Sequence, residues 1–268
     1  MKKFIVLLTD FGIDDVYVGI MKGVIYRISP NTNIIDLTHN IQPQNIKQAA
    51  FLLATSYKFF PSGTIFCTII DPGVGSGCEH IALKYKGRYF VAPNNGVLTY
   101  LLKAGKPITK VVKLDNADYH LKNISNTFHG RDIYAPISAF LANKVNLSEL
   151  GTDFEAVKII KLAPLKNEIY DNNFHGEIIH IDHFGNLITS LKAETIQKNQ
   201  LSSDYLMLQF GDLQLMKLHK TYSDVPVGKF VVYKGSSGFI EIGIREGNAS
   251  KNLKAEIGME ISIKLLKE

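Results

Sequence analysis

The sequence predicts an α/β domain of the sandwich type over residues 1–165, followed by a smaller all-β barrel domain over residues 174–268. Three observations carry this. In the first half, short apolar runs alternate with segments whose apolar residues recur at helical spacing. Past about residue 170 the helical spacing stops, and short strand-like runs follow one another closely. Between them the polar stretch LAPLKNEIYDNNF, residues 162–174, reads as a linker.

Taken in order, KFIVLLT is a buried strand, and Val16, Ile20, Val24 and Ile28 then recur at helical spacing with Pro30 beyond the end. NIIDLT is a second strand, QNIKQAAFLLATSYKFF a helix and TIFCTII a third strand. HIALKYK and RYFVAP read as paired strands joined near Gly87. GVLTYLLKAG reads as a short helix ending at Gly105, KVVKL as a strand and DIYAPISAFLANK as a helix. In the second half EIIHID, NLITSL, YLMLQF, LQLMKL, KFVVYK, GFIEIGI and EISIKLL are short strands. No internal repeat or low-complexity tract interrupts the pattern.

A chain of 268 residues with 46% hydrophobic residues has enough apolar side chain for a large core. Its 30 Lys and Arg against 25 Asp and Glu give a net charge of +5, but the basic residues are scattered singly, so no nucleic-acid partner is required. Two cysteines, Cys67 and Cys78, make neither a disulfide framework nor a paired zinc signature, which fits a reducing cytoplasm. The opening MKKFIVLLTDFG loses its apolar character after Leu8 and reads as a first strand rather than a signal peptide. No apolar run approaches the ~20 residues of a membrane helix.

The stretch FCTIIDPGVGSG turns abruptly from an apolar run into a glycine loop at Asp71-Pro72-Gly73. The loop lacks the third glycine of a dinucleotide fingerprint at the right spacing, and a strand-like segment follows where that motif needs a helix. No Walker A sequence occurs. In parallel sheets, ligands sit beyond the carboxyl ends of the strands, and three strand ends here carry polar residues: Thr9-Asp10, Thr38-His39 and Asp71. Taken alone, Asp71 reads as a turn or capping carboxylate. In NTFHGRDIYAP, His129 precedes Gly130 at a helix entrance, where the missing side chain lets a ligand approach the backbone. His129 is a candidate base or hydrogen-bond relay, with a satisfied structural histidine as the alternative. In IDHFGNLITS, Phe184 and Asn186 suit a flat heterocycle through stacking and two hydrogen bonds; the alternative is a core Phe and a turn Asn. His175, His180, Asp182 and His183 in HGEIIHIDH could be read as zinc ligands, but a strand turns His183 away from His180 and Asp182.

LLTDFGIDDVYVGIMKGVI, DLTHNIQPQNI, IDPGVGS, APNNGVLTYL, NTFHGRDIYAP, IDHFGNLIT, TYSDVPVG and GSSGFIEIGI occur in this order along nearly the whole chain. In order and spacing they resemble the S-adenosylmethionine (SAM) hydroxide adenosyltransferases, the adenosine-forming SAM hydrolases related to fluorinase and chlorinase. The resemblance implies an N-terminal α/β domain, a C-terminal β-barrel and a cytoplasmic homotrimer. SAM sites would lie between one subunit's N-terminal domain and its neighbour's C-terminal domain, with SAM as substrate and neither cofactor nor metal. Asp10 matches the aspartate that holds the ribose hydroxyls. Asp71 and His129 match two members of an Asp, Arg, His triad, Gly130 leaves room beside them, and Phe128 falls among the substrate-binding positions. Phe184 and Asn186 match residues around the adenine, and Tyr222 an aromatic on its other face. Asp182 and Ser236 match positions that hold the methionine amino and carboxylate ends. Gly247 to Ala249, with Asn248 between, fall where backbone groups meet the adenine edge.

The implied reaction is displacement at ribose C5′ by water, with methionine leaving as a neutral thioether. The leaving group needs no acid, so catalysis rests on placing and activating a weak nucleophile. The chain departs from the family at one point. The hydrolases carry arginine seven residues after the aspartate; here Cys78 stands there, followed by Glu79 and His80, and Gly77 replaces a usually polar residue. Without that cation Asp71 is less strongly held, unless Arg131 or a neighbouring subunit supplies another. Behind the hydrolase reading therefore stand a SAM- or adenosine-binding protein with little turnover and, further back, a zinc metallohydrolase.

Overall fold

The structure is a computed structural model and describes residues 3–102, 108–170, 173–198 and 206–266. It divides into two compact units, Met1–Leu162 and Ala163–Glu268. In the first, β1 (Lys3–Thr9), α1 (Tyr17–Ile28), β2 (Thr32–Thr38), α2 (Ile46–Ser56), β3 (Ile65–Ile69), β4 (His80–Tyr85), β5 (Arg88–Pro93), β6 (Lys110–Lys113) and α3 (Ala135–Ala142) follow in order. The strands form one sheet, β2-β1-β3-β5-β4-β6, in which β2, β1, β3 and β5 are parallel and β4 runs against β5 and β6.

Burial on both faces explains the unbroken apolar run of β1. Ile5 and Leu7 pack with α1 and α3, whereas Val6 and Leu8 pack with α2. β4 and β5 are joined by Lys86-Gly87, both at positive φ (47° and 75°), the geometry of a two-residue hairpin turn. The parallel order brings the carboxyl ends of β2, β1 and β3 side by side, and with them His39, Asp10 and Asp71.

Two local expectations are corrected. Residues 97–102 are turns, not a helix: the Thr99 hydroxyl bonds the Gly96 carbonyl, and Gly96 sits at φ 99°, so local side-chain bonding wins over a helical ladder. The expected end at Gly105 lies outside the described residues. The polar 162–174 stretch is also not all linker, because it contains β7 (Glu168–Tyr170), paired antiparallel with β8 (Asn173–Ile181). All three β7 residues are exposed, so no alternation marked them as a strand.

The second unit continues with β9 (Leu187–Lys192), α4 (Ala193–Lys198), β10 (Leu206–Phe210), β11 (Leu213–Met216), β12 (Phe230–Lys234), β13 (Phe239–Ile244), α5 (Ala249–Leu253) and β14 (Glu260–Leu265). The antiparallel order β11-β10-β14-β8-β9-β13-β12 is nearly closed by a bridge from His219, just after β11, to Tyr233 on β12. Inward residues of these strands make their own core, including Phe174, Ile178, Leu208, Val232, Ile242 and Ile263. This is the expected α/β region followed by a barrel. No described helix is long and apolar enough to cross a membrane.

Candidate active site

The first unit carries a cavity of about 680 Å³ at the carboxyl edge of its sheet, lined by Asp10, Asp71, Phe128, His129, Gly130, Arg131 and Tyr134 among others. Three loops build it. After β1, Thr9 is fully buried; its hydroxyl meets His39 Nδ1 at 2.8 Å and accepts the Phe11 N–H. That fixes Asp10, whose Oδ2 accepts the Gln44 N–H at 2.8 Å. After β3, the glycines let the Asp71 loop press against the segment before His129. Gly75, at φ 77°, leaves no room for a Cβ, which would stand 2.6 Å from the Asn126 carbonyl oxygen. Before α3, the Ser125 hydroxyl accepts the Phe128 N–H, and Gly130–Tyr134 form a π-helical turn of the kind that recurs at functional sites.

These loops bring Asp71 and His129 together and add two residues that sequence reasoning did not single out. Tyr134, fully buried, donates to Asp71 Oδ2 at 3.4 Å, and its oxygen stands 2.6 Å from His80 Nδ1. The His80 and His129 rings meet edge to face with centroids 4.8 Å apart. Asp71 Oδ1 and His129 Nδ1 are both buried without a hydrogen-bond partner among the described residues. Burial raises the Asp71 pKa, and Asp10 adds to the rise; the Gly73 N–H, His129 and Tyr134 pull the other way. Burial, with His129, His120 and Lys113 nearby, lowers His80 to about 4, so its ring is neutral at pH 7. Burial and the neighbouring Asp71 push the Cys78 thiol up to about 11, which leaves it a poor nucleophile.

A signal for His80 was present. A hairpin returns its first strand's beginning to the edge where its second strand ends, and His80 pairs opposite Pro93 at the carboxyl end of β5. Tyr134 gave none, because a 3.6-residue period places Ile133, not Tyr134, one turn beyond His129. Arg131 lines the cavity but is not a free cation. Its guanidinium grips Asp132 through Nε (2.6 Å) and Nη2 (3.0 Å) and lies over the Phe128 ring.

The second unit has its own pocket of about 570 Å³, lined by Phe184, Asn186, Tyr222, Ile244, Glu246 and Gly247. Asp182 shapes it from behind. Its Oδ1 accepts the N–H groups of Phe184 and Asn186 (2.9 and 2.8 Å), and its Oδ2 accepts Asn186 Nδ2 at 2.8 Å. The Asn186 amide is thereby oriented with Oδ1 as its remaining acceptor, and Phe184 stands 72% exposed. Tyr222 is held by a short hydroxyl contact with Tyr233. Ser236 is exposed on the β12–β13 turn, Asn248 caps α5 through the Lys251 N–H, and Ala249 is fully buried. These three lie outside the pocket lining. His175, His180, Asp182 and His183 do not converge; among the described residues the group with one ligand atom each within 4.8 Å of one another is Asp71, His80 and His129.

Comparison with known proteins agrees with this two-part arrangement. The model of the SAM hydroxide adenosyltransferase N-terminal domain matches residues 5–151, and that of the C-terminal domain matches residues 176–262. The chain belongs to the SAM hydroxide adenosyltransferase family. It is 34% identical to an (R)-S-adenosyl-L-methionine hydrolase of Methanocaldococcus jannaschii, over 97% of this chain and 95% of that one. It is 30% identical to the enzyme of that name from Salinispora tropica, over 95% of both. A fluorinase of Actinopolyspora mzabensis is 24% identical over 98% of this chain and 97% of its own. A crystal structure of an uncharacterized protein from Thermotoga maritima superposes with a TM-score of 0.91 at 34% identity, covering 97% of this chain and 99% of that one.

Proposed function

We propose that this adenosyltransferase-family chain hydrolyses SAM to adenosine and methionine by attack of water at ribose C5′. The observation that carries the reading is that Asp71 Oδ1 and His129 Nδ1 are buried without partners among the described residues, on side chains that converge to within 4.8 Å in a cavity whose wall also holds Asp10. An acceptor and an imidazole nitrogen without protein partners suit a water that must be held and deprotonated. Water forms the bond to C5′, the C5′–S bond breaks with its electron pair going to sulfur, and the released proton passes to Asp71. Asp10, whose Oδ1 remains beside the Gln44 contact, accepts from the ribose hydroxyls; Phe128 supports the sugar and Gly130 leaves the approach open. Phe184 and Tyr222 flank the adenine, and the Asn186 Oδ1 accepts from its amino group. Gly247 to Ala249 offer backbone at the adenine edge, and Ser236 receives the methionine end. Asp182 acts through Asn186.

The reading includes the cytoplasmic homotrimer that the family resemblance implies, in which neighbouring subunits supply complementary halves; that each pocket lies within one unit supports it. The relatives' names specify the (R) sulfonium form, so both epimers are the substrates to assay. The test is chromatography of SAM incubated with native chain and with Asp71→Asn. Equal release of adenosine and methionine by the native chain, reduced at least about 100-fold in the variant, is expected. Tight SAM binding without release would leave the binding-protein reading in its place.

A further inference from the structure

We propose that Tyr134 and His80 are positioning residues that fix the Asp71 carboxylate so that Oδ1 alone faces the attacking water. The inference rests on the hydrolase reading for its purpose and on hydrogen-bond geometry for its substance.

Tyr134 has one hydroxyl proton and two polar neighbours, Asp71 Oδ2 at 3.4 Å and His80 Nδ1 at 2.6 Å. An ionised carboxylate only accepts, so in the proposed arrangement the Tyr134 proton points at Oδ2 and its oxygen accepts from His80 Nδ1–H. The chain of bonds therefore runs His80 to Tyr134 to Asp71. It requires a neutral His80 carrying its proton on Nδ1; burial and the groups that face it, His129, His120 and Lys113, favour the neutral ring, and the Tyr134 contact selects the nitrogen. Asp71 in turn is faced by His129, Tyr134, Asp10 and Cys78. With Tyr134 on Oδ2, Oδ1, which has no hydrogen-bond partner among the described residues, is the oxygen with its lone pairs open to water. The His80 ring also abuts His129 edge-on and so limits that ring's rotation. His80 is not among the residues lining the cavity, so it works through Tyr134 and not on substrate.

The supports are rigid. Tyr134 is fully buried, and the backbone carbonyl of His80, the first residue of β4, accepts the Leu114 N–H at 2.8 Å. The rival use of the same residues is a metal ion bound by Asp71, His80 and His129. In that case the ion would take the place of the water.

The experiment compares the pH dependence of kcat/KM for adenosine release in the native chain, Tyr134→Phe, His80→Phe and His80→Asn, with thermal melts confirming folding. Tyr134→Phe is expected to lower kcat about tenfold, the equivalent of one hydrogen bond, with KM within about twofold. Loss of the donor destabilises the carboxylate, so the acid limb should move to higher pH. His80→Phe should follow it, whereas His80→Asn, which keeps an N–H donor, should recover most of the loss. An acid limb unmoved in all three variants overturns the proposal. Nitrogen-15 NMR of labelled native protein should show His80 neutral and protonated on Nδ1 at pH 7; an Nε2–H or cationic His80 overturns it irrespective of turnover. Activity lost on chelation and restored by zinc likewise overturns it, in favour of the metal. A native chain that releases no adenosine, yet shows this tautomer and an Asp71 titration shifted by Tyr134→Phe, sinks the hydrolase reading and leaves the positioning standing.

Discussion

Asp71 is a carboxylate whose surroundings work mainly against its charge. Burial is the largest influence and raises its pKa from the ordinary 3.8. Activity that needs the carboxylate is then full above the raised value and lost as pH falls through it, so the acid limb of kcat/KM should lie above 3.8. Cys78 offers a way to move that limb in the opposite direction to Tyr134→Phe. Its Cβ and Asp71 Oδ1 both lie 3.6 Å from where a Gly73 Cβ would stand, so a longer cation built there reaches the carboxylate. Cys78→Arg should shift the limb to lower pH, because a nearby guanidinium favours the ionised form. It should change the plateau by less than about threefold, because Tyr134 already holds Oδ2. A limb that stays in place would show that position 78 does not act on Asp71. Sequence alone marked Asp71, His129 and the odd Cys78, since each sits in a short motif. It gave no hint that a tyrosine would hold the carboxylate, because that depends on the phase of one π-helical turn.

The same distinction holds among the elements. Apart from the exposed β7, the strands of both units were readable from apolar runs, and the β4–β5 hairpin from its turn. The face that a helix buries was not. Val16, Ile20, Val24 and Ile28 announce α1, yet α1 buries Val18, Met21 and Ile25, and leaves Val16 and Ile20 67% and 38% exposed. An apolar stripe wider than one face defines a helix without choosing which side turns inward. In the proposed site, the β8–β9 turn carries the residues assigned to adenine, Phe184 and Asn186. Gly185 adopts φ 87° and packs so closely on Asn248 that a Cβ would lie 2.2 Å from its carboxamide. Both the backbone and the neighbour therefore demand glycine. Gly185→Ala should cost more than about 1 kcal/mol of second-unit stability and weaken adenosine binding at least about tenfold, because Phe184 and Asn186 flank it. Calorimetry with adenosine, beside a thermal melt, checks both; unchanged affinity would remove this turn from the adenine site.

At the scale of the whole molecule, the change of texture near residue 170 was legible because parallel α/β and antiparallel barrel packing use different periods. The proposed assembly was not, since a surface for a second copy looks locally like any apolar helix face. The structure nonetheless leaves such a surface. Ile13, Val16, Tyr17 and Ile20 are exposed together at and just before the start of α1, and Tyr17 also lines the first unit's cavity. Exposed apolar groups close in sequence to a cavity-lining residue are a costly surface for a lone subunit and a natural seat for a neighbour. If neighbouring copies complete the site there, native protein should have about three times the 29.9 kDa mass of the chain. The pair of substitutions Val16→Glu and Ile20→Glu should shift it toward the single-chain mass, because burying two new carboxylates against a partner is unfavourable. Neither residue belongs to a core cluster, so the melting temperature of each unit should change little. Turnover should fall with the trimer and show dependence on protein concentration that the native chain lacks. Light scattering coupled to chromatography, with adenosine release measured on each fraction, decides it: full activity in a monomer fraction would mean that one chain holds the entire site.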